Sequence, residues 1–172
     1  VPNVISYNSN YKTKSCKKSI MAPYYSRYVN NNQTALFGSY EEDSKVETDF
    51  INYLDDSNKV EWWFKNGKGE VNYFAVPYID KYGKISAFYV DFIVQLKNGD
   101  VWLLDTKKGQ TAESAKERAE GLAKYIKEQK KKGKKLFGGI VIPADDQWRY
   151  SNSEKYEYKP NDLRDWKFLD FS

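Results

Sequence analysis

Residues 88–109 read FYVDFIVQLKNGDVWLLDTKKG, and the centre of the predicted fold follows from this segment. Apolar and aromatic residues dominate two runs within it, 87–96 and 101–107, which predict two buried strands that follow each other in the chain. Between them, the Lys-Asn-Gly-Asp sequence at 97–100 is typical of a hairpin turn. The side chains expected to share one face of the first strand are Phe88, Val90, Phe92, Val94 and Leu96.

The length of the turn decides whether two carboxylates of this hairpin face each other. A two-residue loop at Asn98 and Gly99 pairs Asp91 with Thr106, which turns Asp91 to the wrong face. A three-residue loop, with Gly99 in a left-handed conformation, pairs Asp91 directly with Asp105. Because Asn-Gly is compatible with both loops, the sequence leaves the register open. A functional role for the two acids requires the three-residue loop.

The residues of this hairpin could perform metal-dependent chemistry. Asp105 and Lys107 lie two apart on one strand and share a face. Two facing carboxylates repel each other unless a cation lies between them, and hard oxygen ligands suit Mg²⁺ or Mn²⁺. Lys107 would place positive charge beside an attacked phosphate. The Asp-x-Lys pattern alone also fits a surface ion pair, whereas Asp91 is costly within an apolar strand unless something binds it.

A helix is predicted from Ser44 to about residues 55–58, because Ser44 and Glu47 form a capping-box pattern and the apolar residues that follow have helical spacing. Glu47 could complete a metal site, but the capping box alone also explains a glutamate there. The other predicted elements are strands at 60–64, 71–79 and 136–142, turns at 66–69 and 81–84, and a helix from Thr111 or Ser114 to about Lys132.

The order of these elements predicts an α/β fold with a mixed central sheet. A helix between two buried strands is a crossover connection, so the strands at 101–107 and 136–142 are expected to be parallel neighbours, the second of them ending at Pro143. Residues 1–43 are predicted to be an irregular lead-in or linker, 44–142 the core, and 143–172 a C-terminal extension that packs on it.

Composition excludes several classes of site. The chain of 172 residues suits one domain. It contains no histidine and one cysteine, which excludes Ser-His-Asp hydrolysis, histidine-ligated zinc and an internal disulfide. No apolar stretch approaches the length of a membrane span and no signal peptide is visible, so a cytoplasmic protein is expected. Because the chain begins with Val1, we expect it to be a piece of a longer protein.

The positive charge is concentrated in one segment. Residues 107–135 hold eleven basic and four acidic residues, a balance of +7 in a chain whose net charge is +4. Such asymmetry favours an anionic partner such as nucleic acid, although a solvated helix face also explains it. The residues predicted to contact nucleic-acid phosphates without reading the base sequence are Lys108, Lys116, Arg118 and Lys124.

The residues of the hairpin resemble the motif of PD-(D/E)XK nucleases. More narrowly, they resemble the C-terminal endonuclease domain of the Res subunit of type III restriction enzymes, and the segments 47–50, 62–66 and 74–78 are similar to it as well. The resemblance covers residues 44–142. Val90 stands where a proline usually precedes the first acid, and that proline shapes the backbone rather than taking part in the chemistry.

What the resemblance implies is a restriction-endonuclease-like αβββαβ core and Mg²⁺-dependent cleavage of DNA phosphodiesters, with Mn²⁺ as a substitute. The implied catalytic residues are Asp91, Asp105, Lys107 and Glu47, and the implied metal ligands are Asp91, Asp105, Glu47 and Thr106. The implied partners are double-stranded DNA, an upstream superfamily 2 ATPase and a modification methyltransferase.

Two other functions are compatible with the same sequence. The chain could be a catalytically silent module that binds nucleic acid, or a domain that docks a translocase or methyltransferase through its aromatic C-terminal region. Trp62 and Trp63 are interpreted as packing residues rather than as platforms for stacking bases.

Overall fold

The computed structural model describes residues 44–66 and 74–171, which form a mixed α/β fold. The predicted lead-in at 1–43, most of the predicted turn at 66–69 and the beginning of the predicted strand at 71–79 lie outside the described residues. The elements are α1 (Lys45–Asp56), β1 (Val60–Lys65), β2 (Val76–Ile79), β3 (Ile85–Phe88), β4 (Phe92–Leu96), β5 (Val101–Thr106), α2 (Gln110–Glu113), α3 (Lys116–Lys131), β6 (Leu136–Ala144), β7 (Gln147–Ser151) and β8 (Lys167–Phe168).

Most strands of the described residues belong to one mixed sheet with the order β1-β4-β5-β6-β7-β8. β5 and β6 are parallel, and the other neighbouring strands are antiparallel. The predicted crossover is therefore confirmed, since α3 connects two parallel neighbours. The remaining strands, β2 and β3, form a separate two-stranded antiparallel sheet, which we call the ribbon.

The two faces of the large sheet bury different apolar clusters. One face packs against α1 and the C-terminal residues Leu169 and Phe171, and the other packs against α3 and the ribbon. α1 begins as predicted, because Ser44 and Glu47 form both bonds of the capping box. Trp62 and Trp63 are buried in opposite clusters, which confirms that they pack within the protein.

The prediction of one continuous strand at 87–96 is wrong. The chain leaves the ribbon after Phe88 and enters the large sheet only at Phe92. Val90 consequently lies in the cluster beneath α3, whereas Phe92 lies in the cluster beneath α1, so the two do not share a face. The side chain of Asn66 stabilises this crossing, because its Nδ2 donates hydrogen bonds to the carbonyl oxygens of Phe74 and Val90.

The prediction that Pro143 ends the strand at 136–142 is also wrong, because β6 continues to Ala144. β5 ends at Thr106, which lies opposite Val141, so Pro143 has only β7 beside it and its missing N–H costs no pairing with β5. The C-terminal residues add β7 and β8 to the sheet and contribute Tyr156 and Trp166 to the core. Within the described residues, no helix is both long and apolar enough to cross a membrane.

Candidate active site

The register of the β4–β5 hairpin brings the two predicted acids together. Phe92 pairs with Leu104, and extension of this ladder by one residue sets Asp91 opposite Asp105. The loop of Lys97, Asn98 and Gly99 has three residues, and Gly99 has φ of 90°. Of the two registers that the sequence allows, the structure therefore has the one that a functional pair requires.

Asp91 lies at a bend where the backbone and its side chain are both held. The backbone N–H and the hydroxyl of Thr106 donate hydrogen bonds of 2.8 and 2.9 Å to Asp91 Oδ2. The backbone N–H of Asn66 donates to the Asp91 carbonyl oxygen at 2.8 Å. These bonds fix the carboxylate at the end of β5, beside the second acid.

Asp105 is the buried member of the pair. Its side chain is 2% exposed, and its Oδ2 forms an ion pair with Lys107 but no further hydrogen bond within the described residues. Burial, followed by the nearby charge of Asp91, raises the pKa of Asp105 to about 7, although Lys107 and Arg118 oppose this shift. The folded protein therefore holds a proton on Asp105 well above the pH at which an ordinary aspartate loses it.

The ammonium group of Lys107 lies among three oxygen atoms of this site. Its Nζ forms the ion pair with Asp105 Oδ2, donates to the Thr106 carbonyl oxygen at 3.1 Å and is 4.0 Å from Asp91 Oδ2. Burial lowers the pKa of Lys107, but the charges of Asp105 and Asp91 outweigh burial and raise its pKa above the usual value. Lys107 therefore supplies a permanent positive charge to the site.

Glu47, in contrast, is engaged on α1. It accepts a hydrogen bond from the Ser44 backbone N–H at 2.8 Å and forms an ion pair with the buried Lys65. Burial raises the pKa of Glu47, but Lys65 and Ser44 outweigh it and the net shift is downward. Glu47 is thus paired with Ser44 and Lys65, and its metal role stays a prediction.

Glu47→Gln tests the two roles of this residue. Glutamine can still cap the helix, but the charge that pairs with Lys65 is removed, so we expect the free energy of unfolding to fall by about 2–3 kcal/mol. Asp49→Asn is the control, because its exposed ion pair with Lys45 contributes little. Urea unfolding gives the stability. Unchanged Mn²⁺ affinity by calorimetry would assign Glu47 to the helix terminus, and weakened affinity would support the predicted ligand.

The four predicted phosphate contacts lie between the end of β5 and the middle of α3. Arg118, at the first turn of α3, lies near enough to lower the pKa of Asp105, and its guanidinium lies 5.8 Å from the centre of the Phe88 ring. Lys108 lies two residues after the end of β5, Lys116 begins α3, and Lys124 lies further along that helix; all three are exposed. Arg118 is therefore the member of this set whose charge acts on the acid pair.

Two residues around the site were not found from the sequence. Asn66 reads as part of a turn, yet it is buried and its side chain also accepts a hydrogen bond from the Phe74 backbone N–H. Tyr156 donates a hydrogen bond to the Ala112 carbonyl oxygen at 2.7 Å, and its pKa is raised by burial, then by Tyr158 and Asp105. The local sequence does not reveal the structural role of either residue, because both act through contacts with distant segments.

The oxygen atoms around Lys107 Nζ are the donors available for a cation. In residues 44–66 and 74–171, no group of three or more histidine, cysteine or carboxylate side chains could hold a metal ion. Two carboxylates and the Thr106 carbonyl oxygen nonetheless suit Mg²⁺, which is usually bound by one or two carboxylates and keeps several waters. The buried Asp105 Oδ2, whose partner is an ammonium group, is consistent with a site for positive charge.

The chain was compared with protein-family models, with curated proteins and with solved structures, and none of the three comparisons gave a match.

Proposed function

We propose that this chain is a metal-dependent endonuclease domain of the PD-(D/E)XK type that hydrolyses DNA phosphodiester bonds. One observation carries the proposal: the β4–β5 register brings Asp91 and Asp105 together, with the Lys107 ammonium among their oxygen atoms. Carboxylates that must share a buried cation, with a charged lysine beside them, are the groups needed to hold Mg²⁺ and to stabilise a phosphate under attack. The resemblance of residues 88–109 to this nuclease motif agrees with that chemistry.

The topology supports a restriction-endonuclease-like core as part of the proposal. Without the ribbon and the short α2, the chain order is α1, β1, β4, β5, α3 and β6, which is the order αβββαβ. The three strands before α3 are antiparallel neighbours, and β6 lies parallel to β5. In this interpretation the ribbon is an insertion between the first and second core strands.

The metal ligands in this proposal are Asp91, Asp105 and the carbonyl oxygen of Thr106, with Mn²⁺ able to replace Mg²⁺. When bound, the metal would polarise a phosphate oxygen and favour deprotonation of water. Thr106 holds Asp91 in place through its N–H and hydroxyl groups. To bind the metal, Asp105 would have to release the proton that burial favours. Lys107 stays charged and would stabilise negative charge on the phosphate.

The proposed substrate is double-stranded DNA, and the proposed setting is the cytoplasm. Arg118, whose charge acts on the acid pair, would contact a phosphate of the bound strand, and the exposed lysines of α3 would follow the backbone further away. By the resemblance, an upstream ATPase and a modification methyltransferase are the proposed protein partners.

Titration of Mn²⁺ by calorimetry, wild type against Asp105→Asn, tests this proposal. We expect binding by the wild type at pH 8, above the pKa of Asp105, and no detectable binding by the variant, because the amide lacks the charge that a hard cation requires. Asp100→Asn, which changes an acid in the turn of the same hairpin, should bind Mn²⁺ like the wild type.

A supercoiled plasmid then provides the activity measurement. Mn²⁺-dependent nicking by the wild type that is absent from Asp105→Asn and retained by Asp100→Asn would support the proposed function. DNA binding with neither metal binding nor nicking, at any tested metal concentration, would contradict it and would favour a silent nucleic-acid-binding module.

A further inference from the structure

The outward face of the ribbon is apolar throughout. β2 and β3 pair so that Ile79 lies opposite Ile85 and Pro77 lies opposite Ala87. These four side chains share one face of the ribbon, which we call the ribbon face, and all four residues are exposed. Ile79 is 61% and Ile85 is 82% exposed. Because the solvent face of an antiparallel pair is normally polar, this face is expected to have a partner.

The opposite face explains why the ribbon keeps its position. Val76 and Phe88 are buried in the cluster beneath α3, and Tyr78 packs against the same cluster. α3 approaches the ribbon so closely that a Cβ atom on Gly121 would lie 2.4 Å from the Tyr78 Cβ. The ribbon is therefore firmly packed on one side, and its other side is presented to solvent.

The tip of the ribbon carries two lysines on a well-ordered turn. Asp80 accepts hydrogen bonds from the backbone N–H groups of Tyr82 and Lys84 and from the Ser86 hydroxyl. Its carboxylate is therefore bound to the turn itself. Lys81 and Lys84 are exposed, and Tyr82 is 75% exposed between them. The ribbon thus combines an apolar face with a positively charged tip.

The ribbon adjoins the acid pair. β3 ends at Phe88, three residues before Asp91, and the Phe88 ring lies beneath the guanidinium of Arg118. A duplex with a phosphate at Asp91 and Asp105 would therefore extend past the base of the ribbon.

The geometry points to duplex DNA as the partner of the ribbon, with the ribbon face inserted in a groove and Lys81 and Lys84 at the flanking phosphates. This inference rests on the proposed nuclease function and adds the element that engages the groove. The major groove of DNA admits a two-stranded β-ribbon, and apolar side chains there contact thymine methyl groups. The two lysines complement the charge of the phosphates.

A second copy of the chain fits this surface less well. A stable protein interface buries about 800 Å² on each partner, and the four side chains of the ribbon face offer much less than that. In a symmetric contact with the two ribbons parallel, the lysine-bearing tips would also lie side by side, and like charges oppose that arrangement.

The test is the affinity for a fluorescein-labelled duplex of about 20 base pairs, measured by anisotropy with Ca²⁺ in place of Mg²⁺, for wild type and for the Ile79→Ser/Ile85→Ser double variant. We expect the double variant to bind about tenfold more weakly or worse, because its apolar groove contacts are lost. Phe168→Ser is the matched control, since Phe168 is 57% exposed on β8, at the far edge of the sheet, and should leave the affinity unchanged.

A second variant measures the charged contacts. Lys81→Ala/Lys84→Ala should reduce the slope of log affinity against log salt concentration by about two, one for each lysine that neutralises a phosphate. Both double variants replace exposed side chains, and thermal melts should confirm that they fold.

The outcomes separate the ribbon from the nuclease site. If the wild type nicks plasmid and both double variants bind the duplex as the wild type does, the ribbon inference is overturned and the nuclease function stands. If, in addition, sedimentation shows that the wild type self-associates and the isoleucine variant does not, the ribbon face is an interface between copies. If the wild type binds neither Mn²⁺ nor DNA, both the nuclease proposal and this inference fail.

Discussion

Lys107→Met is expected to abolish plasmid nicking while making the metal-free protein bind Mn²⁺ about tenfold more tightly. In the folded chain the Lys107 ammonium lies among Asp91 Oδ2, Asp105 Oδ2 and the Thr106 carbonyl oxygen. These are the same oxygen atoms that the proposed metal site uses. A cation that binds there must displace the ammonium or share the carboxylates with it, so removal of the ammonium strengthens binding.

Nicking should nonetheless be lost, because the proposed role of Lys107 is to stabilise negative charge on the phosphate. Methionine keeps an unbranched, apolar side chain of similar length, which preserves the packing of the lysine stem. Calorimetry at pH 8 measures Mn²⁺ affinity, and plasmid nicking measures activity. Lys108→Met is the matched control for metal affinity, since Lys108 is adjacent in sequence but exposed.

Two results would contradict this prediction in different ways. Weaker Mn²⁺ binding by Lys107→Met would mean that the ammonium does not compete for the metal oxygens but holds the acids in place. Nicking at the wild-type rate would remove Lys107 from the proposed mechanism, even if the tighter metal binding were observed.

Asp105→Asn is expected to stabilise the metal-free protein, and to do so more at pH 8 than at pH 5. The pKa of Asp105 in the folded state is about 7, above its usual value of 3.8, because of burial and the charge of Asp91. The stability that comes from the protonated form is therefore fully present below about pH 4 and is lost as the pH rises to about 7. The asparagine amide resembles the protonated acid and does not titrate. The stability of Asp105→Asn relative to the wild type therefore increases between about pH 4 and pH 7.

The difference in the free energy of unfolding between Asp105→Asn and the wild type should grow by on the order of 1 kcal/mol per pH unit. This growth is expected between the pKa values of Asp105 in the unfolded and the folded state. Urea unfolding in EDTA at pH 5 and pH 8 measures it. Asp162→Asn is the control, because Arg164 lowers the pKa of Asp162 to about 2 and this residue does not titrate between those pH values. Equal stability differences for Asp105→Asn at both pH values would show that Asp105 is ionised throughout in the folded state.

Local patterns were sufficient to predict several elements. Ser44 and Glu47 define the beginning of α1 because a capping box is made within four residues. Apolar runs on both sides of an Asn-Gly turn predict the strands β4 and β5. Because the helix α3 connects β5 to β6, these two strands are predicted to be parallel. In each case the pattern that predicts the element lies within a short stretch of sequence. The beginning of β4, at Phe92 rather than at residue 87, is the part that distant contacts change.

Elements that depend on distant partners were predicted incompletely. The apolar run at 87–96 is divided between two sheets, because the Asn66 amide holds the carbonyl oxygens of Phe74 and Val90 at the crossing. β6 can continue through Pro143 because β5 ends opposite Val141, so no hydrogen bond to β5 requires the N–H that proline lacks. Periodicity along a single strand contains no information about which strands lie on either side of it.

Some features of the candidate site are likewise predictable from the sequence, and others depend on folding. The sequence alone reveals which groups are present: two aspartates, a lysine two residues beyond the second, and neither histidine nor a second cysteine. It also determined that Asp105 and Lys107 share a face, since alternation along a strand is a local property. Whether Asp91 joins them was decided by the tertiary structure, because Asn-Gly permits two loops and the packing of both sheet faces selects one register. The position of the Lys107 ammonium among three oxygen atoms was likewise decided by folding, since burial removes the water that would otherwise separate these charges.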